Sequence, residues 1–444
     1  MLKKIFSVIF CIILVFIVPF SVSAYEPTGF EIDAKSAMLV SLDTGEILYS
    51  KNENTKVYPA SITKIMTVTL MLQSEKYDPE GMVTMTESAL KLISGTGSVV
   101  SWLQAGEQIS QIDLVHLVLM SSCGDCAYLA AEFYGGTVNN FVSMMNAKAE
   151  ELGLTSTHYS NPVGLHDEET YTTAADTYKL AKYALQNKTF KEVCEKDRYT
   201  IEATATEPQH TLSTTNYLQD KTTNYYYMYA KGIKTGFTNE AGRCVVSTAS
   251  YNGYNYMCLV FGCTANAGKR YEFIDSKNLY KWAFTTFEFK EIAKSEEPIC
   301  EMKVKLSMDT DFVPLYVEES FISVLPKDAD QSTISIVPKL SGESVDAPVK
   351  KGQKLGTADI IYAERVIGTV NLVAGEDVSR SFILAIGRGL KNFFLSPYMI
   401  AIYVIIALAI IIFAFIVYKM NRKTKKKRKV RYIPYEKDGK NEKR

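Results

Sequence analysis

The chain has 444 residues, of which 47% are hydrophobic, and it carries 49 basic and 49 acidic residues. This length accommodates two or three domains. The charges are segregated, because residues 419–444 hold thirteen basic and three acidic residues, whereas residues 5–418 hold 34 basic and 46 acidic ones. An acidic main body argues against nucleic acid as a partner, since binding to phosphates depends on clustered positive charge.

The amino terminus has the three parts of a secretory signal peptide. Lys3 and Lys4 precede an apolar run over residues 5–20, and small residues lead up to Ala24, after which we expect cleavage. An uncleaved membrane anchor is the alternative interpretation of residues 1–24.

The central part of the chain begins with two β-rich runs on either side of a D-T-G turn, which predict a hairpin. Apolar residues at helical spacing follow, and strands then return before a last helix. This order predicts an α+β domain over residues 25–295, in which both ends of the domain complete an antiparallel sheet beside a helical region. The predicted helices cover residues 60–72, 87–92, 112–134, 138–152, 173–186 and 271–287, and the predicted strands cover residues 36–42, 46–50, 232–237, 243–249 and 256–263.

The carboxyl-terminal part changes in composition. Short apolar runs broken by Pro and Gly predict a small all-β domain over residues 296–378, and residues 379–396 predict an amphipathic helix. The uncharged apolar run at 397–418 predicts a transmembrane helix, because a buried core helix would carry polar residues on one face. The basic tail, 419–444, should stay in the cytoplasm, which places the rest of the chain outside the cell and anchored to its membrane.

Cysteine and histidine usage predicts neither a disulfide framework nor a metal site. Seven cysteines remain after Cys11 in the signal segment, and this odd, scattered set is most simply a group of small buried residues. The alternative for Cys123 is that it is not simply a buried residue but a reactive thiol, open to oxidation or alkylation. The four histidines form no H-E-x-x-H pattern and complete no cysteine site, so we expect no metal and no cofactor.

A Pro-Ala pair precedes Ser61, and Lys64 follows three residues later at the start of a long apolar run. Residues three apart share one face of a helix, so the amine can activate the hydroxyl as a nucleophile. The amino-terminal end of the helix also favours negative charge on the attacking oxygen. A second S-x-x-K match, from Ser88 to Lys91, lacks both the Pro-Ala pair and the long apolar helix.

Two further elements carry candidate chemistry. Lys234, Thr235 and Gly236 begin a strand and offer charge, a hydroxyl and an approachable backbone to a carboxylate. Alone, this K-T-G sequence is more typical of a strand edge with a surface lysine. Ser122 stands in the sequence S-S-C-G-D after an apolar helix, and alone this stretch would be a polar helix break.

Together, the three elements resemble those of the serine enzymes that react with penicillin, with 61 residues from Ser61 to Ser122 and 112 from there to Lys234. More closely, the chain resembles the D-alanyl-D-alanine carboxypeptidases, the low-molecular-weight penicillin-binding proteins with S-x-x-K, S-x-N and K-T-G motifs. This resemblance implies a penicillin-binding, β-lactamase-like fold. It is carried by residues 37–48, 59–67, 161–165, 215–218 and 232–242, and in the β-domain by residues 368–374.

The resemblance implies removal of the terminal D-alanine from peptidoglycan stem pentapeptides through a serine ester, and inhibition by β-lactam antibiotics. Ser61 would be the acylated nucleophile, neutral Lys64 its general base and Ser122 a proton relay. Lys234 would help to keep Lys64 neutral through like-charge repulsion. The implied substrate-binding residues are Lys234 and Thr235 for the terminal carboxylate, Gly236 beside them, and Phe237, whose backbone N–H would form the oxyanion hole with that of Ser61.

One position departs from the family pattern, because Gly124 stands where the S-x-N motif has asparagine. The missing hydrogen bond could cost about 1.5–3 kcal/mol unless water or Asp125 replaces it. A catalytically weakened, penicillin-binding scaffold of the cell wall is therefore an alternative function. A β-lactamase is another alternative, but the nearest match to its E-x-x-L-N loop, residues 151–155, has the pattern of a helix end.

Overall fold

The computed structural model describes residues 25, 27, 29–203, 208–266 and 268–427. The predicted signal peptide and the last seventeen residues of the predicted cytoplasmic tail therefore lie outside the described residues. The described residues form two compact units, of which the first comprises those up to Ile292 with Ile322–Thr333, and the second Ala293–Phe321 with those from Ile334 onward.

The elements are numbered in chain order. The strands are β1 (Ser36–Ser41), β2 (Ile47–Lys51), β3 (Met82–Thr84), β4 (Gln108–Ser110), β5 (Arg198–Ile201), β6 (His210–Ser213), β7 (Ala230–Thr238), β8 (Gly242–Tyr251), β9 (Tyr254–Cys263), β10 (Ala265–Asn266), β11 (Lys269–Arg270), β12 (Phe287–Ala293), β13 (Pro298–Lys305), β14 (Phe312–Val317), β15 (Phe321–Pro326), β16 (Ser335–Leu340), β17 (Ser344–Asp346), β18 (Lys354–Tyr362) and β19 (Arg365–Ala374). The helices are α1 (Lys64–Gln73), α2 (Glu87–Ile93), α3 (Gln111–Leu119), α4 (Gly124–Gly135), α5 (Val138–Glu151), α6 (Ala174–Ala184), α7 (Lys188–Cys194), α8 (Tyr271–Thr286), α9 (Phe382–Phe394) and α10 (Pro397–Lys427), with short 3-10 helices at Ala60–Thr63 and Gln331–Thr333.

The first unit is built on a five-stranded antiparallel sheet with the order β2-β1-β9-β8-β7. The predicted hairpin and the predicted late strands thus pair in one sheet, which confirms that both ends of the domain complete it. Side chains of a strand alternate between the two faces, so Ala37 and Leu39 of β1 pack with α8 while Met38 and Val40 face the helical region. Both faces of the sheet are therefore covered by apolar clusters.

The helical region surrounds α1, whose first eight residues are all buried. The predicted helix over residues 112–134 is wrong in one respect, because the chain leaves the helix between α3 and α4. In this break Ser122 has a positive φ of 63°, and the N–H of Cys123 donates to the carbonyl of Leu117 at 3.0 Å. An apolar pattern cannot reveal such a break, since the residues on both sides of it are buried.

The second unit contains a six-stranded sheet with the order β16-β18-β19-β14-β13-β17, which confirms the predicted all-β domain. Helix α9 lies within the predicted amphipathic segment, and its exposed face includes Phe382, Ile386 and Leu390. Helix α10 contains Pro397–Arg422, which includes an 18-residue stretch with a mean hydropathy of 3.3 and is long and apolar enough to cross a membrane.

Candidate active site

Ser61 lies in the 3-10 turn that leads directly into α1, and Lys64 is the first residue of that helix. The Lys64 Nζ lies 3.0 Å from the Ser61 Oγ, as the i, i+3 spacing predicts. Ala60, just before the serine, has a positive φ of 48°, a conformation that costs energy in a residue with a side chain. The turn therefore depends on its surroundings to hold the serine in place.

A loop from a distant part of the chain fixes the Lys64 amine. The carbonyl of Val163 accepts from the Lys64 Nζ at 2.8 Å, and the carbonyl of Pro162 accepts from the Thr67 hydroxyl at 2.7 Å. The Asn161 Oδ1 holds this loop by accepting three backbone N–H groups at 2.8 to 3.2 Å. The loop lies within the predicted family segment 161–165, and its contribution to the site is a pair of carbonyl acceptors.

Lys64 is fully buried, and desolvation lowers its pKa from 10.5 to about 7. The negative charge of the Asp125 carboxylate at the start of α4 acts in the opposite direction. At neutral pH the amine can therefore exist in its unprotonated form, which is the form that accepts a proton from a serine hydroxyl.

Strand β7 passes immediately beside Ser61. A Cβ atom on Gly236 would lie 3.1 Å from the Ser61 nitrogen and 3.0 Å from the Pro59 oxygen, so glycine permits this approach. Gly164 packs on the other side of the turn, where a Cβ would lie 1.9 Å from the Ala60 oxygen. The two glycines thus enclose the turn and bring the N–H groups of β7 next to the nucleophile.

Lys234 is also buried, with 1% of its surface exposed, and its Nζ donates to the carbonyl of Thr235 at 3.1 Å. Burial, and secondarily repulsion from Lys64, lower the pKa of Lys234 well below its usual value. Because two neighbouring positive charges repel each other, this pair of lysines binds one extra proton more readily than it binds two. The Thr235 hydroxyl donates to that of Thr215 at 2.7 Å, which orients it at the edge of the cleft.

Gly124 fills a position that leaves little room for an asparagine. A Cβ atom there would lie 2.6 Å from the Ile93 Cδ1 and 2.6 Å from the Ser98 Oγ. The N–H of Gly124 also donates to the carbonyl of Val99 at 2.7 Å, so the loop after α2 closes directly on the start of α4. Close packing of this loop therefore accompanies the departure from S-x-N.

Asp125, which the sequence left as a possible replacement for the missing asparagine, is engaged elsewhere. Its Oδ2 accepts from the Ser101 N–H at 2.9 Å and from the Ser101 hydroxyl at 2.5 Å. Among the described residues, its buried Oδ1 has no hydrogen-bond partner. Asp125 affects Lys64 through its charge, which raises the lysine pKa.

Most of the predicted site residues line an open cleft of about 1120 Å³. Its wall includes Ser61, Ser122, Thr235, Gly236 and Phe237, while the two buried lysines lie behind that wall. All of the predicted residues are thus brought together. The arrangement of a reachable hydroxyl beside a buried amine of lowered pKa is that of a serine enzyme that works through an acyl intermediate.

The cleft also contains Arg270, which the sequence analysis missed. Its Nε donates to the Glu272 Oε1 at 2.6 Å, and its guanidinium lies 4.6 Å from the ring centre of Tyr217 and 4.9 Å from that of Phe273. These contacts fix a cation at the cleft wall. An arginine at the end of a two-residue strand carries no motif, so only the folded chain reveals it.

Comparison with known proteins identifies the family to which this serine enzyme belongs. Residues 21–265 match the family described as D-alanyl-D-alanine carboxypeptidase, and residues 287–380 match the C-terminal domain of penicillin-binding protein 5. The chain therefore belongs to the D-alanyl-D-alanine carboxypeptidase family.

Individual relatives agree with this assignment. The D-alanyl-D-alanine carboxypeptidase DacF of Bacillus subtilis is 30% identical over 350 residues, which cover 79% of this chain and 87% of that protein. A D-alanyl-D-alanine endopeptidase of Pseudomonas aeruginosa is 33% identical over 262 residues, which cover 58% of this chain and 80% of the relative. The structure of penicillin-binding protein 5 from Haemophilus influenzae has a TM-score of 0.64 at 28% identity and covers 80% of this chain and 100% of its own.

Proposed function

We propose that this protein removes the terminal D-alanine from peptidoglycan stem pentapeptides through an acyl-enzyme on Ser61, and that β-lactam antibiotics acylate the same residue. The observation that carries the proposal is the 3.0 Å contact between the Ser61 Oγ and the Nζ of Lys64, whose pKa burial lowers to about 7. An amine that is neutral near pH 7 and touches a hydroxyl is suited to act as a general base.

In the proposed acylation, the Lys64 Nζ takes the proton of Ser61 as its Oγ attacks the carbonyl carbon of the penultimate D-alanine. The negative oxygen of the tetrahedral intermediate accepts hydrogen bonds from the N–H groups of Ser61 and Phe237. The close passage of Gly236 beside the serine supports this placement. Ser122 relays a proton to the leaving amine, and water then hydrolyses the serine ester with Lys64 again as the base.

The proposed carboxylate site comprises Lys234, Thr235 and Arg270. Thr235 and Arg270 both line the cleft, and the buried Lys234 donates through its Nζ to the carbonyl of Thr235. A substrate carboxylate would favour the charged form of Lys234, which burial otherwise disfavours. A guanidinium can add a two-pronged hydrogen bond to the same carboxylate.

The proposed location is the outer face of the cell membrane, with the catalytic unit outside the cell and the basic tail in the cytoplasm. The apolar helix α10 supports a membrane anchor, and the basic residues after it support this orientation. The proposed binding partners of the protein are therefore the stem peptides of the cell wall and the membrane.

The proposal is tested by incubating the full-length chain with a muramyl pentapeptide and measuring released D-alanine, and in parallel by locating a penicillin adduct by mass spectrometry. We expect catalytic D-alanine release and an adduct on Ser61. An adduct without release would favour the scaffold alternative instead. The β-lactamase alternative predicts rapid turnover of penicillin, but Glu151, the residue it would require, is bound to Lys148 at 2.7 Å on the surface of α5.

The role of Arg270 is tested separately with Arg270→Gln. We expect the KM for a pentapeptide with a free terminal carboxylate to rise by about tenfold or more, because a charge-assisted hydrogen bond contributes about 1.5–3 kcal/mol. A pentapeptide with an amidated terminus provides the control. An equal loss with both peptides would contradict carboxylate binding by this arginine.

A further inference from the structure

Helix α4 begins with a C-x-x-C sequence that the proposed mechanism does not use. Cys123 immediately precedes the helix, Cys126 lies in its first turn, and their exposed fractions are 2% and 0%. The two Sγ atoms and a carboxylate oxygen of Asp125 all lie within 4.8 Å of one another. Both cysteines carry free thiols.

The local geometry suits a disulfide. The carbonyl of Cys123 accepts from the N–H of Ala127 at 3.3 Å, so the segment has already turned into the helix. Side chains three positions apart on a helix lie on the same side with Cβ atoms about 5–6 Å apart, so closing to the disulfide separation of about 3.5–4.5 Å requires a shift of about 1–2 Å. The Sγ atoms need to approach to about 2.05 Å, which rotation of the two side chains together with a small backbone shift at Cys123 can achieve.

The thiol pair lies directly behind the proposed active site. Cys123 follows Ser122, whose side chain lines the cleft. The N–H of Gly124, the next residue, donates to the carbonyl of Val99 at 2.7 Å, and Val99 also lines the cleft. Because Cys123 is almost completely covered, only a small reagent could reach it.

We propose that Cys123 and Cys126 are a reversible modification site, in which a small peroxide converts the two thiols to a disulfide and thereby slows acylation of Ser61. This inference rests on the proposed function, because it concerns the rate of that acylation. An exported domain would meet such oxidants more often than a cytoplasmic one.

The chemistry balances with peroxide as the oxidant. The Cys123 sulfur attacks one peroxide oxygen, the O–O bond breaks, and a sulfenic acid and water form. The Cys126 sulfur then attacks the sulfenic sulfur and displaces its hydroxyl, and the proton of the Cys126 thiol passes to that hydroxyl by way of the nearby Asp125 carboxylate, so that a second water leaves. Overall the two thiols lose two electrons and two protons, and the peroxide is reduced to two waters. A dithiol reverses the change by exchange.

The effect on acylation follows from the backbone beside the pair. Ser122 has a positive φ of 63°, and Gly124 is packed tightly against Ile93 and Ser98. Movement of the Cys123 side chain toward Cys126 must therefore be absorbed at Ser122, the proposed proton relay. A small displacement of a catalytic group can slow a reaction by as much as about 10²-fold, and we expect about tenfold here.

The test uses the full-length chain with Cys300→Ser, which removes the most exposed of the described thiols, in buffer with a metal chelator. The protein is treated with hydrogen peroxide, and acylation by a fluorescent penicillin is timed before treatment, after it, and after dithiothreitol. We expect the peptide with both cysteines to lose two hydrogens in mass, acylation to slow by about tenfold, and dithiothreitol to restore both. Methionine oxidation would not be reversed by dithiothreitol.

Cys126→Ser in the same background is the decisive control, since it leaves Cys123 in place but removes its partner. Each variant is compared with itself before and after peroxide, so a change in its basal acylation rate does not affect the comparison. We expect Cys194→Ser to keep the response and Cys126→Ser to lose it. An unchanged peptide mass in the parent chain, an unchanged rate after disulfide formation, or an equal reversible loss in Cys126→Ser would overturn the inference. If the reduced parent were not acylated at all, the proposed function would fail, and the mass measurement would still decide whether the disulfide forms.

Discussion

Two regions of this molecule contain a serine and a lysine three residues apart in a helical segment, and they differ in almost everything else. Ser88 and Lys91 lie on α2 and are both exposed, and the Thr86 side chain caps that helix by accepting the Ala89 N–H. Ser61 and Lys64 lie at a turn for which, among the described residues, no side chain provides a cap.

The comparison teaches that spacing brings the two groups together but burial makes them reactive. An exposed lysine keeps its hydration, which favours its charged form and makes it a poor base. Lys64 has lost that hydration and is held by the carbonyl of Val163, 99 residues away in sequence. Helix α2 instead has a packing role, because its Ile93 lies against Gly124 at the start of α4.

The largest effect expected is from Ser61→Ala, with Ser88→Ala as its matched control. Removing the nucleophile should abolish penicillin labelling and lower D-alanine release by about 10⁴-fold or more. Ser88→Ala should leave penicillin labelling and D-alanine release unchanged, since Ser88 is exposed and a surface substitution changes stability by less than about 0.5 kcal/mol. Equal labelling of Ser61→Ala and the parent chain would refute the assignment.

The second comparison replaces each lysine by arginine. Lys64→Arg should slow acylation by about 10² to 10⁴-fold, because a guanidinium remains protonated and cannot act as the base. Lys91→Arg should leave the rate unchanged within twofold, an approximate bound for surface substitutions. The measurement is the rate of penicillin acylation at pH 8, where Lys64 is largely neutral. Retention of the parent rate in Lys64→Arg would rule out this lysine as the base.

The pH dependence of acylation tests the same point without a substitution. Burial lowers the pKa of Lys64 to about 7, so the amine is charged and inactive below that pH and neutral above it. We therefore expect kcat/KM to fall by about tenfold for each pH unit below 7 and to level off above it. A rate that stayed constant from pH 8 down to pH 5 would show that no group of this pKa is the base.

The smallest effect expected is from Gly124→Ala, which tests how α2 supports the site. A Cβ at this position would overlap Ile93 and Ser98, so the free energy of unfolding should fall by about 1–3 kcal/mol and acylation should slow. Gly387→Ala on α9 is the control, because a Cβ there meets nothing within 4 Å. Thermal unfolding of both variants gives the comparison, and equal stability of the two would contradict the packing role.

Much of the fold was predictable, because it depends on local pattern. The turn at residues 43–45 and the alternation on each side of it predict the hairpin, and the apolar run after Lys64 predicts α1. The helix α7 was not predicted, and the break at Ser122 was indicated only by the polar stretch S-S-C-G-D, since the predicted helix continued through it. A left-handed serine between two buried helices is stabilised by tertiary packing, which a local apolar pattern does not encode.

The sequence alone determined the order of the motifs, the charge segregation and the apolar segment that α10 contains, since each is a property of the linear chain. It also supplied two S-x-x-K candidates, and the tertiary structure decided what each of them does. Only folding buries Lys64, places Arg270 in the cleft, and packs Ile93 against Gly124. The physical reason is that reactivity depends on desolvation and on contacts between residues far apart in the chain, and neither is encoded in local spacing.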